Sequence, residues 1–233
     1  SGLYLYPNIN YFLAENVKGR IVKYGPGVSE GYEFIRDEGI FGQVFRLFRR
    51  EVQFPLPGYF NLLNALGAAA VARELDVSQD DIVAGLENCS GLFGRAEVIQ
   101  GKTVTLFRDC YNANGESMNA ALELVARSEK GRRKIAVLAD MGELGQNAVE
   151  IHVQVIRKAA EGDFEAVFLL GELFANAFAS LEEELEGKQF KSFLDFEKLQ
   201  NELVDFVIEK DLILLKGSRV MALERLSESL LAR

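Results

Sequence analysis

Short apolar runs alternate with amphipathic stretches through the C-terminal half of the chain. The runs Thr103–Phe107, Lys134–Leu138, Ala166–Leu170 and Leu212–Leu215 are typical of buried strands. A helical pattern follows each run. The first carries Met118, Leu122 and Val125 on one face, and the others lie around Val149–Ala160, Leu173–Glu184 and Met221–Leu231. Strands and helices that alternate at this spacing predict an α/β fold with a mostly parallel sheet covered on both faces.

The N-terminal part has a different pattern, with short alternating segments separated by Gly and Pro. These segments are consistent with antiparallel strands, and a further strand-like run opens the chain. They are Leu3–Tyr6, Arg20–Tyr24, Tyr32–Arg36, Gln43–Phe48 and Glu51–Phe54. A helix is predicted from Asn61 to Glu74. Ser78 to Asp81 resembles a capping box that opens a second helix, and Gly91, Gly94 and Arg95 form a linker.

Polar clusters follow the predicted strands of the C-terminal half. They are Asp109–Asn119 (DCYNANGESMN), Asp140–Glu143, Gly171–Glu172 and Lys216–Arg219. In open α/β sheets ligands bind at the loops that connect the carboxyl end of a strand to the following helix, because helix N-termini leave backbone N–H groups free there. A single Asn-rich turn could equally make only its own capping bonds. The recurrence of such clusters at strand ends favours a site.

Composition narrows the class of protein. The 233 residues are 48% hydrophobic, which is enough for one or two ordinary cores. A net charge of -9 argues against a nucleic-acid or anionic-membrane surface. We expect no membrane insertion, since no apolar run approaches the roughly 20 residues of a span and no signal peptide opens the chain. Two cysteines, Cys89 and Cys110, indicate a reducing compartment, and Cys110 is expected to be a packing residue rather than a nucleophile.

Several segments together resemble the Mur ligase family, of the MurF type. Asp109–Met118 is similar to its D-x-Y-N-A-N-P-x-S-M motif. Four further matches follow the same order: Leu56–Leu66 resembles L-P-G-x-H-N-x-x-N-A-L, Phe93–Arg95 the P-G-R hinge, Ala139–Gly145 with His152 the G-D-M-x-E-L-G…H motif, and Leu215–Arg219 V-K-G-S-R. Residues 1–54 match only loosely. The chain departs from the motifs at Phe60 (His in the family), Gly115 (Pro) and Ala139 (Gly).

A Mur ligase begins with a substrate-binding domain and a central ATPase domain that opens on a P-loop, and we expect this chain to lack both features. Gly101–Thr103 imitates the end of a P-loop, but Ala96 stands where the first Gly should be. The triplet also lies between two strand-like runs, Ala96–Gln100 and Thr103–Phe107, which predicts a hairpin turn. Without a phosphate cradle the chain alone is expected not to turn over ATP.

The resemblance implies a domain assignment and an activity. Residues 1–94 would be the C-terminal part of the central ATP-binding α/β domain, and residues 95–233 a Rossmann-like C-terminal domain. The activity would be ADP-forming addition of D-alanyl-D-alanine to UDP-N-acetylmuramoyl-tripeptide in peptidoglycan precursor synthesis, by a cytoplasmic monomer. ATP and Mg²⁺ would be required, with the metal ligands outside this chain. A non-catalytic relative and a ligase of the folylpolyglutamate synthase type remain alternatives.

The resemblance also assigns roles to individual residues. Cofactor binding is expected from Asn61 and Asn64, whose amides suit the adenine edge but could instead cap their helix, and from Arg95 and Asp109 near ribose and phosphate. Catalytic roles are expected for Asn112, Asn114 and Lys216, and substrate binding for Tyr111, Ser218 and Arg219. The Lys216 charge should face a cleft and be dispensable for folding. Asp140 and Glu143 could cap the helix that follows or contact substrate, and His152 could be a packing residue or a functional one.

Overall fold

The computed structural model describes the backbone of residues 3–7 and the complete residues 20–232. The chain divides into two compact units, Ser1–Ser90 and Gly91–Arg233. The predicted domain boundary at residue 94 lies close to this division. The assignment of the first unit to a central ATP-binding domain stays a prediction. Within the described residues, no helix is both long enough and apolar enough to cross a bilayer.

The first unit combines two small sheets with two helices. Strands β1 (Leu3–Pro7) and β2 (Arg20–Tyr24) pair in parallel. Strands β3 (Glu33–Asp37), β4 (Gln43–Leu47) and β5 (Arg50–Phe54) form an antiparallel sheet, and helices α1 (Tyr59–Glu74) and α2 (Gln79–Glu87) follow. The antiparallel prediction is confirmed for β3 to β5 and is wrong for β2, which pairs in parallel with β1.

The core of the first unit lies between the antiparallel sheet and the two helices. Apolar side chains of β4 and β5, such as Phe45 and Val52, are fully buried against Leu66 of α1 and Ile82 of α2. Ser78 caps α2 as predicted, because its Oγ accepts the backbone N–H of Asp81 at 3.1 Å.

The second unit is built on one six-stranded sheet. Its strands are β6 (Glu97–Gln100), β7 (Thr105–Asp109), β8 (Lys134–Ala139), β9 (Ala166–Leu170), β10 (Phe190–Phe193) and β11 (Leu212–Lys216). The order across the sheet is β10, β9, β8, β11, β7, β6. All neighbours are parallel except β6 and β7, which form an antiparallel hairpin. The predicted α/β class and the hairpin turn around Lys102 are both confirmed.

Helices cover both faces of this sheet. They are α3 (Gly115–Arg127), α4 (Ala148–Glu161), α5 (Glu172–Ala179), α6 (Phe196–Phe206) and α7 (Leu226–Leu231). On one face, Leu203 of α6 and Leu226 of α7 pack in a core with Val137 and Leu215 of the sheet. Helices α3, α4 and α5 pack side by side, and buried strand residues of alternate parity, such as Leu214, point to the opposite face.

Some predicted elements differ from the structure. Strand β7 starts at Thr105 and ends at Asp109, and it includes Arg108, whose buried guanidinium is neutralised by Glu97 at 2.9 Å. Helix α5 ends at Ala179, so the acidic run Glu182–Glu186 lies in turns rather than on a helix face. The helix predicted from Met221 begins only at Leu226, because Ala222 adopts a left-handed conformation (φ 51°) between two short 3-10 turns.

Candidate functional site

The carboxyl ends of the parallel strands bring the predicted polar clusters of the second unit together. In the sheet register Lys216 at the end of β11 lies beside Asp109 at the end of β7, and beside Leu138 of β8 on its other side. The clusters after β7, β8 and β11 therefore share one edge, as the strand pattern predicts. The site residues of this edge lie at the last positions of the strands and on the loops that follow them, where the sheet fixes their positions.

Asp109 connects three segments at this edge. Its Oδ2 lies 2.6 Å from Nζ of Lys216, and its Oδ1 accepts the backbone N–H of Ala96 at 3.1 Å. Ala96 lies between the linker and β6 and has a left-handed φ of 48°. Both carboxylate oxygens are thus engaged inside the protein. The contact of Asp109 with a ribose stays a prediction. A ribose hydroxyl would have to donate to lone pairs that the Lys216 ammonium group and the Ala96 N–H leave unused.

Lys216 lies beneath the loop that follows β7. The side chain is 1% exposed, and its ammonium group donates to the Asp109 carboxylate and to the backbone oxygens of Asp109 (3.3 Å) and Asn112 (3.4 Å). The expectation that this charge faces the cleft between the domains stays a prediction, but the ammonium group is enclosed by the neighbouring loop, because β11 is a central strand of the sheet. Lys216 therefore shapes the loop, and a direct catalytic role stays a prediction.

The ring of Tyr111 makes cation–π contacts with two arginine side chains. The guanidinium carbon of Arg95 lies 4.2 Å from the ring centroid, and that of Arg219 lies 4.8 Å from it. All three side chains are exposed, and within residues 20–232 neither arginine is paired with a carboxylate. The ring face favours cations within about 6 Å, so the aromatic group holds together two charges that would otherwise repel. The pair of guanidinium groups can fork onto phosphate or carboxylate oxygens.

The N-terminus of α3 lies directly after Tyr111. Asn114 is the N-cap residue: its Oδ1 accepts the backbone N–H of Ser117 at 2.8 Å, and the Ser117 Oγ accepts the N–H of Asn114 at 3.1 Å. Asn112 accepts the N–H of Ala113 through its own Oδ1 at 3.0 Å. Both asparagines are exposed, and among the described residues neither Nδ2 group donates to a partner. These donors and the helix N-terminus suit an anionic ligand.

Gly115 takes the first position of α3, where the family motif has Pro. A Cβ atom at Gly115 would lie 2.8 Å from Cγ2 of Ile151 in α4. That distance is shorter than any ordinary contact, so a larger residue would require Ile151 to move. The Ile151 side chain therefore occupies the space that a larger residue, such as the Pro of the family motif, would need at position 115.

Asp140 caps a helix, but not the one that follows it. Its carboxylate accepts the backbone N–H groups of Leu173 (3.0 Å) and Phe174 (2.9 Å) in the first turn of α5. The prediction of a cap for α4 is wrong, because α4 begins after Asn147 without a side-chain cap. Glu143 is exposed and, within the described part of the chain, makes no side-chain cap hydrogen bond to the start of α4 or α5. A substrate contact of Asp140 would compete with the two bonds to α5.

Gly171 explains why the Asp140 carboxylate can reach α5. It stands at the N-cap of that helix with φ 117°, and a Cβ atom there would lie 2.3 Å from the carboxylate. Only glycine tolerates both the backbone conformation and the close approach.

His152 is a buried residue with both ring nitrogens bonded. Nδ1 donates to the carbonyl of Ala148 at 2.7 Å, and Nε2 accepts the backbone N–H of Met141 at 3.1 Å. Burial is the main cause that lowers the pKa of His152 below 6.5, and the Ala148 carbonyl and Asp140 oppose it. The neutral ring fits this arrangement, since a doubly protonated ring could not accept from Met141. Direct contact with substrate is excluded in this conformation by full burial.

Asn61 and Asn64, the residues predicted to bind adenine, do not cap their helix. The N-cap of α1 is Gly58, and it has no side-chain hydrogen bond. Asn61 is half-buried and donates its Nδ2 to the carbonyl of Pro57 at 2.8 Å, whereas Asn64 is exposed one turn later. Tyr59 and Phe60 beside them are exposed aromatic residues. The capping alternative loses support, and adenine recognition stays a prediction.

Glu97 is a residue of this region that the sequence reasoning missed. Its Oε2 accepts from Arg108 at 2.9 Å and from the backbone N–H of Gly94 in the linker at 3.0 Å. Glu97 and Arg108 are direct partners in the β6–β7 register, so opposite charges across the predicted hairpin were the available signal.

The remaining candidates give simpler results. Cys110 is buried, and burial with the nearby Glu224 raises the pKa of its thiol to about 11, which fits a packing residue. In residues 20–232 no three His, Cys, Asp or Glu side chains are arranged to hold a metal ion. Ser218 follows Lys216 and Gly217, and its N–H donates to the carbonyl of Asp140 at 3.1 Å.

Comparisons with known proteins support the motif interpretation. The profile of a family described as Mur ligase, glutamate ligase domain, matches residues 94–219. The chain is 36% identical over 215 residues to UDP-N-acetylmuramoyl-tripeptide--D-alanyl-D-alanine ligase of Treponema pallidum, covering 92% of this chain and 46% of that protein. It is 34% identical over 183 residues to the Escherichia coli protein of the same name, covering 77% and 39%. Crystal structure II of MurF from Acinetobacter baumannii is similar with a TM-score of 0.84 and 28% identity, over 100% of this chain and 52% of that one.

Proposed function

The chain belongs to the Mur ligase family, and we propose that it forms part of an ATP-dependent, ADP-forming ligase that adds D-alanyl-D-alanine to UDP-N-acetylmuramoyl-tripeptide. The resemblance predicted from the motifs is confirmed. The chain spans about half the length of the curated relatives it matches, 46% and 39% in the two cases given above, so the activity of a whole protein is an inference. The observation that carries it is the pair of arginines, Arg95 and Arg219, held over Tyr111 beside the N-terminus of α3, with no carboxylate partner for either among residues 20–232.

The chemistry of amide formation explains why such a cluster is useful. A carboxylate is a poor acyl donor because its oxygen is a poor leaving group. Transfer of the terminal phosphoryl group of ATP to the tripeptide carboxylate gives an acyl phosphate and ADP. The amino group of D-alanyl-D-alanine then attacks the acyl carbon, loses a proton and expels inorganic phosphate. Negative charge is present at each stage, on phosphate or carboxylate oxygens.

The residues of the second unit can be given roles in this sequence. Arg95 and Arg219 would bind phosphate or carboxylate oxygens, and the Nδ2 groups of Asn112 and Asn114 would donate to the same oxygens. Ser218 lies next to Arg219 and would contact the acceptor dipeptide. Asp109 and Lys216 would position these groups. Asp109 accepts the backbone N–H of Ala96, which follows Arg95, and Lys216 donates to the backbone carbonyl of Asn112.

The proposal extends to the nucleotide and to cellular location. Asn61 and Asn64 would recognise the adenine edge, since a primary amide offers a donor and an acceptor together. Mg²⁺ would assist by neutralising the phosphates, but the described residues do not provide a fitting set of ligands for it. A cytoplasmic location follows from the proposed use of ATP and a UDP-linked precursor. The monomeric state stays a prediction.

The test is a ligation assay on a protein that contains this chain together with the upstream domains of its relatives. Phosphate release should require ATP, the UDP-linked tripeptide and D-alanyl-D-alanine, and residues 1–233 alone should match the blank. Arg219→Ala should lower kcat/KM for the dipeptide by about tenfold or more, equivalent to about 1.4 kcal/mol. Arg157→Ala, which removes an exposed arginine paired with Glu184, is the matched control and should keep normal activity.

The alternatives give different outcomes in the same assay. Ligation of glutamate in place of the dipeptide would indicate the folylpolyglutamate synthase type. Absence of any ligation would indicate a non-catalytic relative. Equal activity of the Arg219→Ala and Arg157→Ala proteins would remove the arginine pair from the mechanism.

A further inference from the structure

The turn that carries Ser218 and Arg219 rests on the end of the neighbouring strand β8. The Ser218 N–H donates to the carbonyl of Asp140 at 3.1 Å. A Cβ atom on Gly217 would lie 2.7 Å from Cβ of Ala139, so the two strand ends approach as closely as glycine permits. The position of this turn therefore depends on the backbone of Ala139 and Asp140.

The backbone of Asp140 is itself fixed from two sides. Its N–H donates to the carbonyl of Leu170 at 3.0 Å, and its carboxylate accepts two N–H groups from the first turn of α5. An anionic cap at a helix N-terminus is stabilised by the helix dipole as well as by the bonds themselves. Asp140 thus ties the ends of β8, β9 and β11 to α5.

His152 fixes the next residue of the same loop. The Met141 N–H donates to Nε2 of His152, and the ring is held in turn by the Ala148 carbonyl of α4 and by an edge contact with Phe174 of α5, with centroids 4.5 Å apart. The ring is completely buried, and Met141 is 1% exposed. Neither can reach a ligand, so any effect of His152 on binding must pass through the loop.

We propose that His152 and Asp140 are positioning residues for the Ser218–Arg219 turn. His152 accepts the backbone N–H of Met141, and the Asp140 carboxylate accepts two N–H groups of α5, so the backbone of this loop is fixed. The Asp140 carbonyl accepts the Ser218 N–H and thereby determines the position of Ser218 and Arg219 relative to Tyr111. The identity of the ligand that the turn binds rests on the proposed function. The positioning itself does not, because it concerns bonds within the second unit.

Three substitutions of His152 separate positioning from simple packing. His152→Gln keeps an acceptor near the place of Nε2, His152→Asn keeps a donor near the place of Nδ1, and His152→Leu keeps volume without either bond. Amide hydrogen exchange in the full chain reports on the turn without any assay of activity. The Leu protein should exchange the Ser218 amide at least about tenfold faster, whereas the Tyr111 amide, bonded to the Gly94 carbonyl, should be unchanged. The Gln protein should restore slow exchange, and the Asn protein should not.

Activity gives a second readout in the protein that also contains the upstream domains. His152→Leu should raise the KM for D-alanyl-D-alanine about tenfold and leave the KM for ATP unchanged, and His152→Gln should recover most of the loss. If the Leu protein does not fold, Asp140→Asn, which weakens the cap on α5, should produce the same selective exchange at Ser218. Unchanged Ser218 exchange in both variants would overturn the proposal. Faster Ser218 exchange in the His152→Leu protein, together with an unsubstituted protein that has no ligase activity, would overturn only the proposed function.

Discussion

The ammonium nitrogen of Lys216 lies 2.6 Å from Oδ2 of Asp109, and the lysine side chain is 1% exposed. The same ammonium group donates to two backbone oxygens of the loop that carries Tyr111 and Asn112. A charge in this position is part of the folded framework. The structure therefore changes the expectation that Lys216 can be removed without loss of stability.

Lys216→Met should lower the free energy of unfolding by about 3 kcal/mol, because it leaves the Asp109 carboxylate without its buried partner. Urea denaturation measures the loss. Lys158→Met is the control, since Lys158 pairs with Glu123 on the surface and its removal should leave the denaturation midpoint nearly unchanged. The double variant Asp109→Asn with Lys216→Met should lose less than the sum of the single losses. A Lys216→Met protein as stable as the control would show that the ion pair is not a structural element.

The stability of the chain should fall as the pH is lowered through the ordinary pKa of histidine, 6.5. Burial lowers the pKa of His152 in the folded state, so below about pH 6.5 the unfolded chain binds a proton that the folded chain does not. This difference in proton binding lowers the free energy of unfolding as the pH falls, until the pH is also below the lowered pKa of His152 in the folded state. Urea denaturation from about pH 7 to about pH 5.5 should show this decline, and His152→Gln should show less of it. Identical pH profiles for the two proteins would contradict the inferred protonation.

Asn64→Ala should raise the KM for ATP by about tenfold in the protein that includes the upstream domains, if the exposed amide recognises adenine. The melting temperature should stay the same, because the Asn64 side chain is exposed and the helix is capped at Gly58 without it. Asn201→Ala, which removes an exposed amide from α6, is the control for both measurements. An unchanged KM for ATP would leave Asn64 without a role in nucleotide binding.

Thiol labelling should distinguish the two cysteines. The pKa of Cys110 is raised to about 11, so at about pH 8 only about a thousandth of this thiol is ionised, and the side chain is also buried. Cys89 is partly exposed and should react first. Mass spectrometry of the partly labelled chain would locate the label, and Cys89→Ser should abolish the fast phase. Equal labelling rates for both thiols in the folded protein would contradict the burial of Cys110.

The sequence predicted the strands best where apolar residues are continuous. Ala166–Leu170 has five apolar residues and matches β9 at both ends. Strand β10 (Phe190–Phe193) was missed because its four residues are only half-buried and include Lys191 and Ser192. Helix α6 was missed as well, although Asp195 at its N-cap, whose side chain accepts from Lys198, was a readable signal.

The site was predicted in its location but not in its contacts. Strand ends that share an edge follow from the alternation of strands and helices, and this placed Asp109 near Lys216. The cap that Asp140 forms on α5 could not be read from the sequence, because it joins groups that are 33 and 34 residues apart. The burial of Lys216 likewise depends on β11 being a central strand, which the order of elements along the chain does not reveal.

The place of β11 in the sheet has a consequence for synthesis on the ribosome. This strand is the last of the sheet to be made, yet it lies between β7 and β8, which have no direct pairing with each other. Until residues 212–216 leave the ribosome, β7 and β8 must stand about 10 Å apart with unpaired edges or collapse onto a wrong neighbour. Nascent chains that stall before this strand should therefore be sensitive to proteases and chaperone-dependent, and the arginine pair over Tyr111 cannot assemble in them.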